Sequence, residues 1–214
     1  LGELAQTGTL RDFSPADRLP ELVFELPLAG GDLAARDGAT LHEVARALRE
    51  QLPADDPLAG YADRLEHPLL PRDRLRGYLT GSIDAVLRWR AADGEPRYLV
   101  VDYKTNLLAA PGEPLTAWHY RPEALVAEML AAHYPLQSLL YTVALHRYLR
   151  WRQPGYDPRV HLAGALYLFV RGMTGPDVPL VGGLPCGVMA WHPPAALVLE
   201  LSDLLDGNAG GGDR

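Results

Sequence analysis

The stretch that decides the fold runs from residue 97 to residue 106 and reads RYLVVDYKTN. Apolar and aromatic residues lead into an aspartate, a tyrosine and a lysine, as in a buried strand that ends at a turn. Because side chains alternate across a strand, Asp102 and Lys104 point to the same side and Tyr103 points away. The stretch therefore predicts a carboxylate and an ammonium group side by side at a strand end.

A second strand is predicted just before this one, over residues 77–90, which read GYLTGSIDAVLRWR. The Asp93-Gly94 pair that follows favours a hairpin turn. Asp84 lies nine residues before this pair and Asp102 eight residues after it. A simple antiparallel register therefore places the two aspartates nearly opposite each other on neighbouring strands.

Two carboxylates that converge at a buried strand end repel each other, and burying them is costly without compensation. A divalent cation such as Mg²⁺ or Mn²⁺ provides that compensation, because it prefers hard oxygen ligands. Lys104 would then position or deprotonate a water, or stabilise charge on a phosphate. The alternative is a surface ion pair between Asp102 and Lys104, which contributes little to stability.

Composition narrows the class of protein. The 214 residues are 48% apolar and 22% charged, which suits one good-sized domain or two small ones. Cys186 is the single cysteine, so no internal disulfide can form and a reducing, cytoplasmic location is expected. The sequence has no apolar run of about 18 residues, so no membrane partner is expected. The net charge of −7 argues weakly against a nucleic-acid binder that acts alone.

The periodicity of the chain predicts an α/β fold, with a mixed sheet and helices on both faces. Strands are predicted over 20–28, 77–90, 97–106 and 161–173, with a short edge strand within 186–193. Helices are predicted over 39–52, 123–134, 135–153 and 194–205. In the helix at 135–153, the leucine-rich stripe is the expected core face. Arg147, Arg150 and Arg152 are interpreted as a solvated helix end, with contacts to phosphates as the alternative.

Several of these motifs occur together in one known family. LTGSID, DYKTN, the Gln137-x-x-x-Tyr141 pair and ALHRYL stand in the order of the C-terminal nuclease domains of the RecB family, the β subunits of exodeoxyribonuclease V. The chain resembles these domains from residue 1 to about residue 205, least over 29–75. The resemblance implies a restriction-endonuclease-like, or PD-(D/E)XK, fold with a mixed central sheet. Residues 206–214 are expected to form a disordered tail.

The resemblance implies roles for the residues of the hairpin. Asp84 and Asp102 match the family's metal-binding aspartates. Tyr103 matches the residue whose main-chain carbonyl adds a metal ligand, and Lys104 matches the catalytic lysine. One Mg²⁺ per site is implied, and Mn²⁺ or Ca²⁺ could replace it in binding.

The resemblance also assigns residues outside the hairpin. Gln137 and Tyr141, four apart on one predicted helix face, match a family motif that shapes the catalytic site. Glu21 matches the acidic residue of the family's first strand. The family's metal-binding histidine precedes that strand, so an N-terminally truncated domain is expected, without this histidine helix or the helicase. His42 follows Glu21 and is interpreted as an ordinary helix residue.

What the resemblance implies for function is a metal-dependent DNA phosphodiesterase of an ATP-dependent helicase–nuclease that acts on double-strand ends in recombinational repair. ATP would serve only the helicase. The expected partners are single-stranded DNA delivered by the helicase, RecC-like and RecD-like subunits and a RecA-like recombinase. The alternative is a non-catalytic interaction module that docks a motor domain or a recombinase through its surface and has an incomplete metal site.

Overall fold

The computed structural model describes residues 9–29, 31, 38–70 and 74–207. Residues 208–214 of the predicted disordered tail lie outside the described residues, as do residues 1–8 of the predicted domain. None of the described helices is long and apolar enough to cross a membrane.

A five-stranded mixed sheet flanked by helices forms the centre of the fold, as the sequence predicts. The strand order is β1-β2-β3-β4-β7, and β5 and β6 form a separate two-stranded ribbon. Strand β2 pairs antiparallel with β3, β3 pairs parallel with β4, and β4 pairs antiparallel with β7. The strands are β1 (Arg18–Leu28), β2 (Gly77–Arg90), β3 (Pro96–Lys104), β4 (Leu162–Phe169), β5 (Leu180–Val181), β6 (Leu184–Pro185) and β7 (Val188–Trp191).

The four predicted helices are present close to their predicted bounds, and two short helices occur in addition within the described part of the chain. They are α1 (Leu41–Gln51), α2 (Tyr61–Leu65), α3 (Pro122–Ala131), α4 (Tyr134–Arg152), α5 (Pro158–His161) and α6 (Ala195–Leu205). Helix α1 begins with a capping box, in which Thr40 Oγ1 accepts a hydrogen bond from the backbone N–H of Glu43. Between α3 and α4, His133 takes a left-handed backbone conformation with φ of 57°. Pro135 then lies in the first turn of α4, where its missing N–H removes no helical bond.

Two predicted details differ from the structure. The strand predicted over 161–173 ends at Phe169, because its neighbour β3 ends at the paired Lys104 and offers no further backbone partners. A 3₁₀ turn at Val170–Gly172 follows. The hairpin at Asp93-Gly94 exists, but its loop covers residues 91–95, since Arg90 pairs with Pro96. Gly94 has a φ of 83°, which explains why glycine suits this position.

The chain divides into two compact units. The first consists of the described residues within Leu1–Leu22, Ile83–Ser138 and Val160–His192. The second consists of those within Val23–Ser82, Leu139–Arg159 and Pro193–Arg214. The first unit has a core cluster on one face of β2, β3 and β4, formed by Leu87, Leu99, Val101, Ala163 and Leu168. These buried side chains hold the ends of β2 and β3 in register.

In the second unit, Arg147 is a structural residue, so its interpretation as part of a solvated helix end is wrong. Its guanidinium donates hydrogen bonds to Ser202 Oγ at 3.1 Å and Ser202 O at 2.7 Å. It also lies 2.6 Å from the Asp206 carboxylate and donates to the carbonyl of Pro27. Its side chain is only 8% exposed. The sequence does not reveal this because the partners come from distant segments. Arg150 and Arg152 are exposed, as interpreted.

Replacing Arg147 with methionine should therefore lower the free energy of unfolding by about 2–4 kcal/mol, because two carbonyls and a carboxylate lose their donor. Urea denaturation measures this loss. The matched control is Arg150→Met on the same helix, which should cost less than about 0.5 kcal/mol because Arg150 is exposed. Equal stability of the two variants would contradict the structural role of Arg147.

His146 makes the second unit sensitive to acid. Burial, together with the charges of Arg150 and Arg147, lowers its pKa from 6.5 to about 4. Its Nδ1 lies 3.0 Å from the hydroxyl of Tyr156. Because the unfolded chain takes up the proton at higher pH than the folded chain does, stability falls as pH drops from about 6.5 towards 4.

We expect His146 to lower the free energy of unfolding by about 2 kcal/mol when the pH falls from about 7 to about 5. A His146→Gln variant has no proton to gain in this range, so its unfolding free energy should fall by about 2 kcal/mol less than that of the wild type. Urea denaturation at both pH values tests the difference. Parallel pH profiles of the two proteins would contradict it.

Candidate active site

The candidate site lies at the end of β3, within the first unit. Asp102 is buried, with 3% of its surface exposed, whereas the neighbouring Tyr103 is 45% exposed. Lys104, the last residue of the strand, has a side chain that is only 12% exposed. The predicted alternation of these three side chains is therefore present, and the two charged groups lie on the buried side.

Asp84 stands beside Asp102 on the neighbouring strand. The observed register ends at the pair Ala85↔Val101, and Asp84 and Asp102 are the next residues of the two strands. The Asp84 carboxylate accepts a hydrogen bond of 2.8 Å from the backbone N–H of Tyr103. The Asp84 carboxylate is close enough to raise the pKa of Asp102, so the two acids are neighbours, as the hairpin predicts.

Lys104 forms a buried ion pair rather than the surface pair of the alternative interpretation. Its Nζ lies 2.6 Å from Asp102 Oδ2 and donates a 2.8 Å hydrogen bond to Gln137 Oε1. The same ammonium stands 4.0 Å from the centre of the Tyr134 ring and 5.2 Å from that of Tyr167. A carboxylate, an amide oxygen and two aromatic faces therefore hold the positive charge in one place.

Burial raises the pKa of Asp102, and the nearby Asp84 carboxylate raises it further. The Lys104 ammonium opposes both effects by hydrogen bonding and by its charge. One positive charge therefore faces two carboxylates in a poorly solvated position. A bound cation would offset the remaining unfavourable charge of this arrangement.

Gln137 links helix α4 to the strand end. Its Oε1 accepts hydrogen bonds from Lys104 Nζ at 2.8 Å and from the Tyr167 hydroxyl at 3.3 Å. Because an ammonium group can only donate, the amide must turn its oxygen towards Lys104. Tyr167 pairs with Asp102 across β3 and β4, which brings its ring to the same end of the sheet.

Sequence reasoning missed Tyr134 and Asn106. The Tyr134 hydroxyl donates to Asn106 Oδ1 at 3.1 Å, and its ring stacks on Tyr167 with centroids 5.8 Å apart. Asn106 Nδ2 donates to Glu128 at 2.7 Å, so the loop after β3 is fastened to helix α3. The sequence does contain one signal for Tyr134. It lies three residues before Gln137, and residues three apart in a helix are neighbours on its surface.

The loop after β3 has a further attachment. Arg171 donates from Nε to the backbone carbonyl of Thr105 at 2.8 Å. The Tyr120 hydroxyl donates to the carbonyl of Asn106 at 2.8 Å. These bonds fix the backbone that carries Lys104 at the strand end.

Other predicted residues lie elsewhere in the structure. Glu21 is an exposed residue of β1 with a left-handed φ of 50°, and its role stays a prediction. Tyr141 belongs to the second unit, where its ring meets that of Phe24 edge to face at 5.9 Å. Its role in the site also stays a prediction. His42 is an exposed residue of α1 paired with Glu66 at 2.8 Å, which agrees with its interpretation as an ordinary helix residue.

The residues present fit a hard divalent cation. Asp84 and Asp102 supply carboxylate oxygens, and Mg²⁺ is commonly held by one or two carboxylates while keeping several waters. Within residues 9–29, 31, 38–70 and 74–207 there is no group of three or more His, Cys, Asp or Glu side chains that could hold a metal. A cation here would therefore depend on the two aspartates, with a main-chain carbonyl and water as further ligands.

The chain is similar in sequence to known proteins over nearly all of its length. No protein-family model matches the chain. The RecBCD enzyme subunit RecB of Mycolicibacterium smegmatis is 56% identical over 209 residues, which cover 98% of this chain. The RecB subunit of Escherichia coli is 33% identical over 205 residues, covering 95% of it. The chain belongs to the RecB family.

The match covers only part of each RecB protein. This RecB-like chain spans 19% of the M. smegmatis subunit and 15% of the E. coli subunit. The RecB subunit of Haemophilus influenzae is 35% identical over 181 residues and is covered to 13%. The residues Asp84, Asp102 and Lys104 thus belong to a chain that spans less than a fifth of the length of each of these RecB subunits.

Proposed function

We propose that this RecB-like chain is a metal-dependent DNA phosphodiesterase. The observation that carries the proposal is the buried Asp102–Lys104 ion pair, 2.6 Å long, with Asp84 on the adjoining strand. Burying Asp102 and the Lys104 side chain beside a second carboxylate is costly for a purely structural role. The names of the relatives support this assignment, because they are subunits of the RecBCD enzyme.

Each residue has a defined task in the proposed reaction. Asp84 and Asp102 hold Mg²⁺, which when bound would polarise the scissile phosphate and lower the pKa of a coordinated water. Lys104 stabilises the negative charge that develops on the phosphate oxygens. Gln137 keeps the ammonium directed at that position through its 2.8 Å hydrogen bond. The water oxygen bonds to phosphorus and releases a proton to solvent, the bond to one sugar oxygen breaks, and that oxygen takes up a proton from solvent.

The names of the relatives also support a proposal about the larger complex in which this chain acts. We place the chain in a helicase–nuclease complex that processes double-strand DNA ends in the cytoplasm, with RecC-like and RecD-like subunits and a RecA-like recombinase as partners. ATP would be used by a helicase and not at this site. A helicase that delivers single-stranded DNA explains how a chain with net charge −7 could act on a polyanion.

Hydrolysis in water enriched in the heavy oxygen isotope tests the reaction class. A phosphodiesterase that uses water should place one heavy oxygen on each new terminal phosphate of a single-stranded DNA substrate. Mass spectrometry of the products measures this incorporation. Cutting without isotope incorporation would indicate an elimination reaction and would overturn the proposal.

Tyr134 should assist the reaction by positioning Lys104. Replacing it with leucine removes the aromatic face 4.0 Å from the ammonium and should lower kcat for cleavage about tenfold, with KM little changed. Tyr134→Phe keeps the ring and should retain most of the activity. In a Lys104→Ala background, Tyr134→Leu should cause no further loss, because its effect acts through the lysine. Additive losses would contradict this positioning role.

A further inference from the structure

A groove of about 690 Å³ begins at the candidate site and lies within the first unit. Asp84 and Tyr103 line it, and both also belong to the strand end described above. Its volume falls within the roughly 300–1,000 Å³ of ordinary small-molecule sites. We call it the flanking groove, and its other lining residues used here are Leu10, Arg11, Asp12, Phe13, Arg18 and Leu87.

The floor of the flanking groove is the opposite face of the strand from the one that carries Asp102 and Lys104. Tyr103 alternates with those residues and exposes 45% of its surface. Leu87, which is buried in the neighbouring core cluster, closes the bottom of the groove, and the half-buried Phe13 adds apolar surface. An exposed tyrosine beside apolar side chains offers a planar base a face on which to stack.

The wall of the flanking groove contains two arginines that can meet a phosphate. Arg11 and Arg18 both line it, and Arg18 donates a hydrogen bond to the carbonyl of Leu10, which ties the wall together. Asp12 also lines the groove, and its carboxylate accepts hydrogen bonds from the backbone N–H and the hydroxyl of Thr9, which direct it away from a bound phosphate. Guanidinium groups bind phosphate with directed hydrogen bonds, so this edge suits a nucleic-acid backbone.

We propose that the flanking groove binds the nucleotide next to the scissile phosphate of single-stranded DNA. The base stacks on Tyr103, and Arg11 and Arg18 contact the adjoining phosphate. This inference rests on the proposed function, because the shared residues Asp84 and Tyr103 make the groove continuous with the catalytic strand end. Since every base has a stacking face, the groove tolerates all sequences. It disfavours duplex DNA, whose bases are stacked on one another and paired.

The first test is the binding of a fluorescein-labelled oligothymidine to the full 214-residue chain in EDTA, measured by fluorescence anisotropy. EDTA prevents cutting and removes any metal contribution, so the groove is measured by itself. Tyr103→Leu should raise Kd about tenfold, because a stacked base contributes roughly that much or more. Tyr103→Phe keeps the stacking face and should remain within about twofold of the wild type. Unchanged affinity of the leucine variant would overturn the proposal.

An oligonucleotide of abasic sites with the same number of phosphates makes the test specific to stacking. The wild type should bind oligothymidine more tightly than the abasic strand, and Tyr103→Leu should lose most of that preference. Arg11→Gln should weaken binding of both strands by a similar factor, because it acts on phosphate. Wild-type protein that binds both strands equally would show that no base is recognised, and the inference would fall.

A matched control guards against a general effect of losing an aromatic side chain. Trp118 is 59% exposed in the same unit, stands under the Arg121 guanidinium at 5.2 Å and does not line the flanking groove. Trp118→Leu should bind oligothymidine as the wild type does. Thermal unfolding of each variant confirms that it is folded, and Arg11→Gln supplies a second route if Tyr103→Leu is not.

Failure of this inference is distinguishable from failure of the proposed function. If the wild type cuts DNA in Mg²⁺ and Tyr103→Leu has an unchanged KM, the flanking groove is not a subsite although the nuclease assignment stands. If the chain does not cut but binds oligothymidine in EDTA through Tyr103, the groove is a single-strand binding site and the nuclease assignment fails.

Discussion

Lys104→Ala is expected to lower kcat for cleavage of single-stranded DNA by about two to three orders of magnitude. Several contacts set the position of the ammonium in the candidate site. It is held by Asp102 at 2.6 Å and Gln137 at 2.8 Å, and it faces the Tyr134 ring. A group held in this way stabilises charge in the transition state without having to reorganise, so its loss should appear in kcat rather than in KM.

Two controls make the lysine experiment interpretable. Lys104→Arg keeps the charge, but a planar guanidinium does not fit the position of a compact ammonium, so activity should stay well below the wild type. Removing Lys104 also leaves Asp102 buried without its counter-ion, and thermal unfolding must show that the variant is folded under assay conditions. A folded Lys104→Ala protein that cuts at the wild-type rate would contradict the assigned role.

The second large effect is expected from the aspartates. Asp102→Asn and Asp84→Asn should each weaken Mg²⁺ binding at least about tenfold and lower cleavage by about a thousandfold or more, because each removes a charged oxygen ligand. Isothermal titration with Mn²⁺ measures the binding directly. Asp102→Asn should have the larger effect, since the carboxylate it replaces is the more deeply buried.

The matched control for the aspartates is Asp93→Asn at the other end of the same hairpin. It changes the net charge by the same amount, but Asp93 is engaged with Arg97 at 2.6 Å in the hairpin loop. Its effect on metal binding should therefore be small. If Asp93→Asn weakened binding as much as Asp102→Asn, the metal would be responding to overall charge and the proposed ligands would be wrong.

The part of the site that could be predicted is the part that depends on local chain geometry. Asp84, Asp102 and Lys104 belong to one hairpin, so strand alternation and the Asp93-Gly94 turn signal are enough to predict that they lie nearly opposite each other. The observed register, in which Arg90 pairs with Pro96 across a longer loop, differs by one residue from that of a two-residue turn at Asp93-Gly94. A shift of the register by one residue would have sent Asp84 to the opposite face.

The remaining contacts could not be predicted because they depend on long-range packing. Tyr167 reaches the site through the parallel pairing of β3 with β4, whose register is set by a crossover of many residues. Asn106 is fixed by Glu128 and Tyr134, which come from two different helices. The flanking groove depends on a short segment around Phe13 whose sequence carries no periodic signal. Polar networks and grooves of this kind become visible only when the chain is folded.

The measurement that tests the central claim most directly is digestion of end-labelled single-stranded DNA by the purified chain in Mg²⁺ and in EDTA, with Lys104→Ala beside it. We expect the wild type to cut in Mg²⁺, to stop in EDTA and to recover when Mg²⁺ is restored, while the lysine variant stays nearly inactive throughout. Cutting that continues in EDTA, or a folded wild-type chain that fails to cut in Mg²⁺, would contradict the assignment of this strand end as a metal-dependent nuclease site.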